Sequence, residues 1–326
     1  MRKLVDKNNY KKIKFVIVST RQRWGGAIAL HTLCKNLEEL GYNASIYYIN
    51  DGEAYTKRYF WIKHILFKLV DFIKKNYVKI YGETCLIRQD GFSGYVNISI
   101  RDCTQKHLPW LDANTIAVYP DVVYGNFLGA KNVVRWLLYY NRYSDDAYGT
   151  NDLFYAYREV FNDKRKNPEN KILTVAYFDL DIYKQTNFGI RSGSCYVIRK
   201  GSDRIDLPKE FDGPIIDDLT EQDKVKILNE SKYCISYYTQ TAYSAIAAIC
   251  GCISIVVPEE GKTWKDYRST KEECYGVAFG KGKEQISWAK KTASKALERY
   301  QELNANGLRE TDKFAKEAIK YFGLDR

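Results

Sequence analysis

The segment YCISYYTQTAYSAIAAICGCISIVVPEEG, Tyr233 to Gly261, places a run of small residues between two apolar runs. YCISYY and CISIVV are short and rich in β-branched and aromatic side chains, so both are predicted to be buried strands. AYSAIAAIC between them is predicted to be a helix that ends at Gly251. Strand, helix and strand in this order form a βαβ unit, which joins parallel strands. The segment therefore predicts an α/β fold with a parallel sheet.

A cluster of hydroxyl groups lies where the first strand meets the helix, at Thr239, Thr241, Tyr243 and Ser244. Open α/β sheets bind ligands at the carboxyl ends of their strands, and the first N–H groups of a helix attract anions. We expect Thr239 or Thr241 to cap the helix and the remaining hydroxyls to donate to a phosphate. Glu259 and Glu260 follow the next strand, where a carboxylate can accept both ribose hydroxyls. The alternative is an ordinary capped helix followed by exposed acids.

A second anion-binding edge is predicted from SCYVIRKG, in which Arg199, Lys200 and Gly201 directly follow another strand. Two cations beside a glycine offer charge and backbone access to a diphosphate. The alternative is a solvated basic turn.

The first half of the chain opens with the same pattern. KIKFVIVST (Lys12 to Thr20) is predicted to be a strand, RQRWGG a loop, AIALHTLCKNLEELGY a helix that ends at Gly41, and ASIYYIN a strand. Gly25 and Gly26 allow a tight loop, and Arg23 is placed to contact a phosphate or an acceptor. The loop matches neither the dinucleotide fingerprint nor the phosphate loop of nucleotide triphosphatases.

The line VYPDVVYGNFLGAKNVVRWLL supplies the other candidates of the first half. Asp121 follows the predicted strand TIAVYP and is a candidate general base, with Asp102 of SIRDC as a second candidate. Asn126 lies in a predicted loop that faces an acceptor. Lys131 and Arg135 are four residues apart on a predicted helix, AKNVVRWLLYY, and so share one face.

Further apolar runs complete two α/β halves. YVNISI, LFYAYREVF and ILTVAYF are predicted strands, EQDKVKILNESK is a predicted helix, and the tail from Gln285 onward is helical and charged. The polar segment Asn162 to Asn170 is predicted to be a linker. The expected architecture is two Rossmann-like, doubly wound domains facing a cleft, 1–165 and 166–326, with the last helix packing back on the first domain.

Composition limits the class of protein. The 326 residues are 45% hydrophobic and 28% charged, which is typical of globular chains, and the formal charge of +11 favours anionic partners. Eight cysteines without a C-x-x-C pair and only three histidines disfavour a zinc site. The D-x-D match at Asp179 to Asp181 is short enough to occur by chance. We therefore predict no metal and no cofactor.

The segment Tyr55 to Gly82 is rich in aromatic and aliphatic residues with lysines every three or four positions. This pattern fits either a core helix with a solvated stripe or a helix that touches the headgroups of an anionic membrane. No run is long enough to span a bilayer and no signal peptide opens the chain. A cytoplasmic protein, peripheral at the inner membrane, is expected.

Taken in order, four of these segments resemble GT-B glycosyltransferases of bacterial capsular and lipopolysaccharide synthesis. They are WGGAIALHTLCKNLEELGY, YPDVVYGNFLGAKNVVRWLL, CYVIRKG and YTQTAYSAIAAICGCISIVVPEEG.

The resemblance implies a metal-independent transferase that binds a nucleotide sugar with its C-terminal half and a growing, lipid-linked glycan with its N-terminal half. Arg199 and Lys200 would contact the diphosphate, the hydroxyl cluster would surround a phosphate, and Glu259 or Glu260 would contact ribose or sugar. Many members carry an acid where this chain has Gln240 and Thr241, so acid roles are not carried over. Phe127 also stands where proline would be expected.

Two other functions fit parts of the sequence. A nucleotide-sugar epimerase could use the same scaffold without an acceptor. A nucleic-acid binder would explain the positive charge, but no helix-turn-helix, zinc-finger or RNA-binding signature occurs, so no specific nucleic-acid partner is expected.

Overall fold

The computed structural model describes residues 12–20, 25–49 and 111–325. These residues form two compact units, each built around its own sheet. The first unit takes the chain up to Tyr177 and again from Asn306, and the second unit is Phe178–Ala305.

The first unit contains a five-stranded, all-parallel sheet in the order β2-β1-β3-β4-β5. Its strands are β1 Lys14–Thr20, β2 Asn43–Ile49, β3 Thr115–Pro120, β4 Asn132–Leu137 and β5 Leu153–Ala156. Every residue of β3 and β4 is buried, as expected for parallel strands that are covered on both faces. Because β2 and β3 lie on opposite sides of β1, the strand order reverses between β1 and β3.

Helix α1, Gly25–Glu39, joins β1 to β2. It ends as predicted at Gly41, whose φ of 93° is readily adopted only by a residue without a side chain. The N–H of Tyr42 donates to the carbonyl of Leu37 at 3.0 Å, which completes a Schellman cap.

The end of the chain completes the core of the first unit. Phe314 of the last helix, Ala293–Tyr321, packs its ring 6.1 Å from Phe15 of β1 and 5.2 Å from Tyr155 of β5. The hydroxyl of Tyr155 donates to Glu317 at 2.7 Å. Apolar burial and one polar contact thus hold the last helical turns against the first sheet.

The helix predicted for AKNVVRWLLYY is wrong, because this segment forms strand β4. Its side chains are buried on both faces, so it shows no helical stripe, and Val133, Val134 and Trp136 favour a strand. The strand predicted for ILTVAYF is reduced to a single parallel bridge between Ile172 and Ala156.

The segment predicted to be a linker, Asn162 to Asn170, lies inside the first unit. Asn167 is buried, and its side-chain amide donates to the carbonyl of Lys171 at 3.0 Å and to the side chain of Asn162 at 2.9 Å. The polar side chains of this segment therefore form hydrogen bonds within turns. The boundary between the units follows Tyr177.

The second unit contains a four-stranded parallel sheet in the order β6-β7-β8-β9. Its strands are β6 Ser192–Val197, β7 Ser231–Ser236, β8 Ile253–Val256 and β9 Val277–Phe279. Its helices are α2 Glu221–Glu230, α3 Tyr243–Ile249, α4 Lys283–Lys291 and α5 Ala293–Tyr321, the last of which continues into the first unit. The strand, helix and strand predicted from Tyr233 to Gly261 are present, whereas the three-residue β9 has no counterpart among the predicted strands.

The short segment Pro214 to Ile216 lies on the far side of β6. Ile215 forms a parallel bridge with Tyr196, and the N–H of Tyr196 donates to the carbonyl of Pro214 at 2.9 Å. The chain therefore passes from β6 to one neighbour and then to β7 on the other side. The second sheet thus reverses its order between β6 and β7, just as the first reverses between β1 and β3. Both sheets are doubly wound in this sense.

The cysteines of the described residues belong to the apolar core. The six cysteines in the described part of the chain are all buried, as expected for small apolar side chains. No helix among the described residues is long and apolar enough to cross a membrane.

His31 lies fully buried in α1, and this burial lowers the pKa of its imidazole to about 3. In the unfolded chain the pKa is about 6.5, so protons bind preferentially to the unfolded state and the free energy of unfolding falls as the pH drops through this window. Between about pH 6.5 and pH 5 we expect a loss of about 2 kcal/mol that is absent from His31→Gln. Urea unfolding at several pH values across this range measures the difference. If the free energy of unfolding of the two proteins depended on pH in the same way, His31 would be protonated in the native state.

Candidate functional site

The candidate site is the carboxyl edge of the second sheet, at the point where its strand order reverses. Ligands of open α/β sheets bind in the crevice at such a point. Here β6 is followed by a 3₁₀ helix, Arg199–Gly201, and β7 is followed by the loop from Tyr237 to Ala242. The two segments singled out from the sequence thus follow the two strands that flank the reversal.

These two segments are in contact. Gly201 is buried so close to the loop that a Cβ atom there would lie 2.5 Å from the carbonyl oxygen of Tyr237 and 2.9 Å from its carbonyl carbon. The ammonium group of the exposed Lys200 lies 5.8 Å from the centre of the Tyr238 ring. A glycine is required at position 201, and it brings the basic turn against the loop.

Arg199 is held in an uncommon conformation. Its φ of 35° is in the left-handed region, and one carboxylate oxygen of Asp217 accepts the N–H of Ile198 at 2.7 Å and that of Arg199 at 3.0 Å. Asp217 therefore fixes the backbone of the turn. The half-buried guanidinium of Arg199 has no hydrogen-bond or ion-pair partner among the residues that the structure describes.

Arg204, which was not predicted as a site residue, connects the loops at this edge of the sheet. Its guanidinium donates to the carbonyl oxygens of Tyr237 at 3.1 Å, Val257 at 2.7 Å and Pro258 at 3.1 Å. It also makes two hydrogen bonds to Asp206, at 2.8 and 2.6 Å, which raise the pKa of Arg204 and lower that of Asp206. Because these acceptors follow β7 and β8, one side chain links three loops of the edge.

The hydroxyls after β7 are largely used to fold their own loop. The Thr241 hydroxyl accepts the N–H of Tyr243 at 3.2 Å, and the Ser244 hydroxyl donates to the carbonyl of Thr241 at 2.9 Å. Helix α3 has only seven residues, and its N-cap is Ala242, with no side-chain cap. The predicted cap by Thr239 or Thr241 is therefore wrong, since both precede the N-cap; their side chains are nearly buried.

Tyr243 belongs to a polar cluster at the start of α2. Its hydroxyl lies 3.1 Å from Glu221 and 3.1 Å from the ammonium group of Lys224, which in turn pairs with Glu221 at 3.1 Å. The hydroxyl of Tyr183 is 3.5 Å away. The Tyr243 hydroxyl, predicted to face a phosphate, thus has charged partners within the protein.

Gln240, in the loop after β7, pairs with a buried cation. The guanidinium of Arg268, 5% exposed, donates to the Gln240 side-chain oxygen at 2.8 Å. The amide nitrogen of Gln240 donates to the carbonyl of Tyr267 at 3.2 Å. The side chain at position 240 is therefore a neutral amide. The contact of Arg268 with Gln240 could not be predicted, because the sequence around Arg268 has no strand or helix pattern.

Glu259 and Glu260 are exposed and follow β8, so they lie at the same carboxyl edge. Glu259 forms an ion pair with Lys262, and its N–H donates to the Tyr267 hydroxyl at 3.0 Å. Burial raises the pKa of Tyr267, so this phenol stays neutral. The predicted contact of either acid with ribose remains a prediction.

In the first unit, Asp121 lies at the equivalent reversal. It is 6% exposed, and one of its carboxylate oxygens accepts the N–H of Leu138 at 3.1 Å while the other lies 3.7 Å from the guanidinium of Arg142. A Cβ atom on Gly26, in the first turn of α1, would lie 3.3 Å from the Leu138 side chain, whereas Gly25 faces open space. Asp121 and the start of α1 therefore meet at the end of β4.

The other cleft residues predicted for the first unit have structural roles. Lys131 is exposed at the amino end of β4, opposite to the edge that carries Asp121, because the predicted helix is a strand. Arg135 is 2% exposed and pairs with Asp152 at 2.7 Å. The side-chain oxygen of Asn126 accepts the Tyr119 hydroxyl at 2.9 Å and the N–H of Ala130 at 3.0 Å, so its amide closes its own loop.

Three predicted features lie outside the described residues: Arg23, Asp102 with the strand YVNISI, and the segment Tyr55 to Gly82. Within the described ranges, no group of three histidine, cysteine or acidic side chains could hold a metal ion. In the D-x-D match, Asp179 accepts the N–H of Ile182 at 3.2 Å, which is a turn contact.

Comparison with known proteins gives a likeness to a solved structure. No protein-family profile and no curated protein matches the chain. A solved structure described as a glycosyltransferase from Rickettsia africae ESF-5 aligns over 96% of this chain and 99% of its own, with 9% identical residues and a TM-score of 0.45. A likeness this weak carries no argument about function, which depends on the residues at the two sheet edges.

Proposed function

We propose that the protein is a glycosyltransferase that moves a sugar from a nucleotide-sugar donor to a growing, lipid-linked surface glycan. In this proposal the enzyme is of the GT-B type, and the second unit holds the donor. The observation that carries the proposal is the contact between the basic turn, Arg199–Gly201, and the loop after β7, at the reversal of a parallel sheet.

The chemistry of this edge suits a diphosphate. The guanidinium of Arg199 and the ammonium group of Lys200 follow the same strand, and Asp217 holds the backbone between them and β6. Cations fixed in this way stabilise the negative charge that develops on a departing nucleoside diphosphate, which removes the need for a metal. Glu259 and Glu260 are proposed to contact the ribose or the sugar.

Asp121 is proposed as the base that accepts the proton of the acceptor hydroxyl, with Asp102 as the second candidate. The backbone N–H of Leu138 orients the Asp121 carboxylate, and the guanidinium of Arg142 lies 3.7 Å from its other oxygen. The proposed setting is the cytoplasmic face of a bacterial membrane, in capsular or lipopolysaccharide synthesis, because a net charge of +11 favours an anionic surface.

A panel of UDP-, GDP-, CMP- and dTDP-sugars in a thermal-shift assay tests the proposal. We expect one base to raise the melting temperature and Lys200→Ala to weaken that donor about ten- to a hundredfold, since it loses a charge-assisted contact. Lys290→Ala changes another exposed lysine, on α4 in the same unit, and should leave the shift intact.

Absence of a shift with every donor would contradict the proposal. A shift accompanied by conversion of the donor sugar without any acceptor would instead identify an epimerase. Equal affinity of Lys200→Ala and wild type would remove the basic turn from the site.

A further inference from the structure

A loop at the amino end of the second sheet exposes two large apolar side chains. Phe188 is 82% exposed and Ile190 is 99% exposed, within the segment from Lys184 to Arg191 that precedes β6. Single exposed apolar residues are common, but two nearly adjacent ones with almost their whole surface in water mark an interaction site.

The loop is held in place from one side by Asn229, which is 4% exposed at the end of α2. Its side-chain oxygen accepts the N–H of Thr186 at 2.7 Å and that of Asn187 at 3.2 Å, and its amide nitrogen donates to the carbonyl of Lys184 at 3.1 Å. One buried side chain therefore fixes three residues before Phe188.

Arg191 fixes the other end of the loop. Its guanidinium donates to the carbonyl oxygens of Leu228 at 2.9 Å, Cys250 at 2.7 Å and Asn187 at 2.8 Å. The carbonyls of Leu228 and Cys250 lie near the ends of α2 and α3, so both helices hold the loop. Since the backbone is anchored on both sides, the exposure of Phe188 and Ile190 is built into the fold.

The surroundings of the loop are basic. From Lys184 to Arg191 the sequence has a cation at each end and no acid. Lys226 and Lys232 flank Asn229 along the chain and are exposed, as are the acids Glu230 and Asp181. Exposed apolar side chains on a loop whose neighbours along the chain carry more cations than acids match the headgroup region of an anionic bilayer, where each basic residue adds to the attraction.

We propose that the segment Lys184 to Arg191 inserts Phe188 and Ile190 into an anionic lipid surface. A projecting tip enters a lipid layer without a matching groove, whereas a protein partner would have to supply one. The inference depends on this loop alone and does not require the donor site, so the two proposals can fail separately.

Flotation with lipid vesicles tests the inference on the full chain. Wild type should bind vesicles made of equal parts phosphatidylcholine and phosphatidylglycerol, and bind phosphatidylcholine alone much less. The double variant Phe188→Ser with Ile190→Ser should partition at least about tenfold less, because membrane affinity follows the apolar area that is buried. Ile205→Ser is the matched control, since Ile205 is also fully exposed in the second unit but lies at the opposite edge of the sheet.

Equal binding of the double variant and wild type, or no binding of wild type to the anionic vesicles, would overturn the inference. A wild-type dimer in light scattering that the double variant loses, without vesicle binding, would overturn it in favour of a protein partner. Melting curves establish that the double variant is folded, which is expected because Asn229 and Arg191 are unchanged.

Discussion

Gly201→Ala is expected to abolish donor binding and to lower the free energy of unfolding by about 2–3 kcal/mol. The new methyl carbon would lie 2.5 Å from the carbonyl oxygen of Tyr237 and 2.9 Å from its carbon. Both atoms belong to the backbone after β7, so neither can rotate away. The basic turn must therefore move away from the loop, and Arg199 and Lys200 move with it.

The control for this variant is Gly282→Ala, also in the second unit. Gly282 has a φ of −63°, and its nearest neighbouring atom would lie 4.0 Å from a new Cβ atom. It should change stability by less than about 1 kcal/mol and leave donor binding unchanged. Calorimetric titration of the donor and urea unfolding measure the two effects. If Gly201→Ala bound the donor like wild type, contact between the turn and the loop would have no part in recognition.

Asp152→Asn is expected to lower the free energy of unfolding by about 3–5 kcal/mol, because it leaves the charge of Arg135 without its buried partner. The two side chains are 2% and 7% exposed and lie 2.7 Å apart. The remaining hydrogen bond of Arg135, to the carbonyl of Gly125 at 2.9 Å, does not neutralise the charge. Asparagine has nearly the same size as aspartate, so no cavity is formed. The loss in free energy of unfolding therefore measures the effect of removing the carboxylate charge.

Asp312→Asn breaks an exposed pair and provides the comparison. Asp312 and Lys316 lie 2.5 Å apart on α5, with 36% and 54% of their side chains exposed. Solvent screens such pairs, so the expected cost is below about 1 kcal/mol. Urea unfolding of both variants measures the two losses in free energy of unfolding. Similar losses for the two variants would mean that Arg135 is solvated or neutralised in some other way in the variant.

The fold was predictable where the local pattern and the tertiary context agree. Gly41 and Gly251 end helices, and the strands predicted at β1, β2, β3, β6, β7 and β8 are present, as the sequence indicates. The prediction failed at β4, where burial on both faces removes the alternation that would distinguish a strand from a buried helix. Because a helix was predicted there, Lys131 and Arg135 were wrongly placed on one helical face.

The contact between the two segments of the candidate site was predictable from the sequence, but their side-chain partners were not. Topology alone places the residues after β6 and β7 at one edge, so Arg199 to Gly201 could be paired with the loop from the sequence. The functions of single polar side chains depend on partners distant in the chain. Arg204 and Arg268 contact residues about 30 to 55 positions away, and no local pattern indicates such contacts.

Hydrogen–deuterium exchange with and without the donor identified in the panel tests the central claim most directly. Two stretches should gain protection together, Ile198 to Arg204 and Tyr237 to Ser244, because both lie at the edge where the diphosphate is proposed to bind. The loop from Lys184 to Arg191, at the opposite end of the same sheet, should exchange at an unchanged rate. Donor-dependent protection at that loop, or no protection of the basic turn, would contradict the assignment of the donor to this edge.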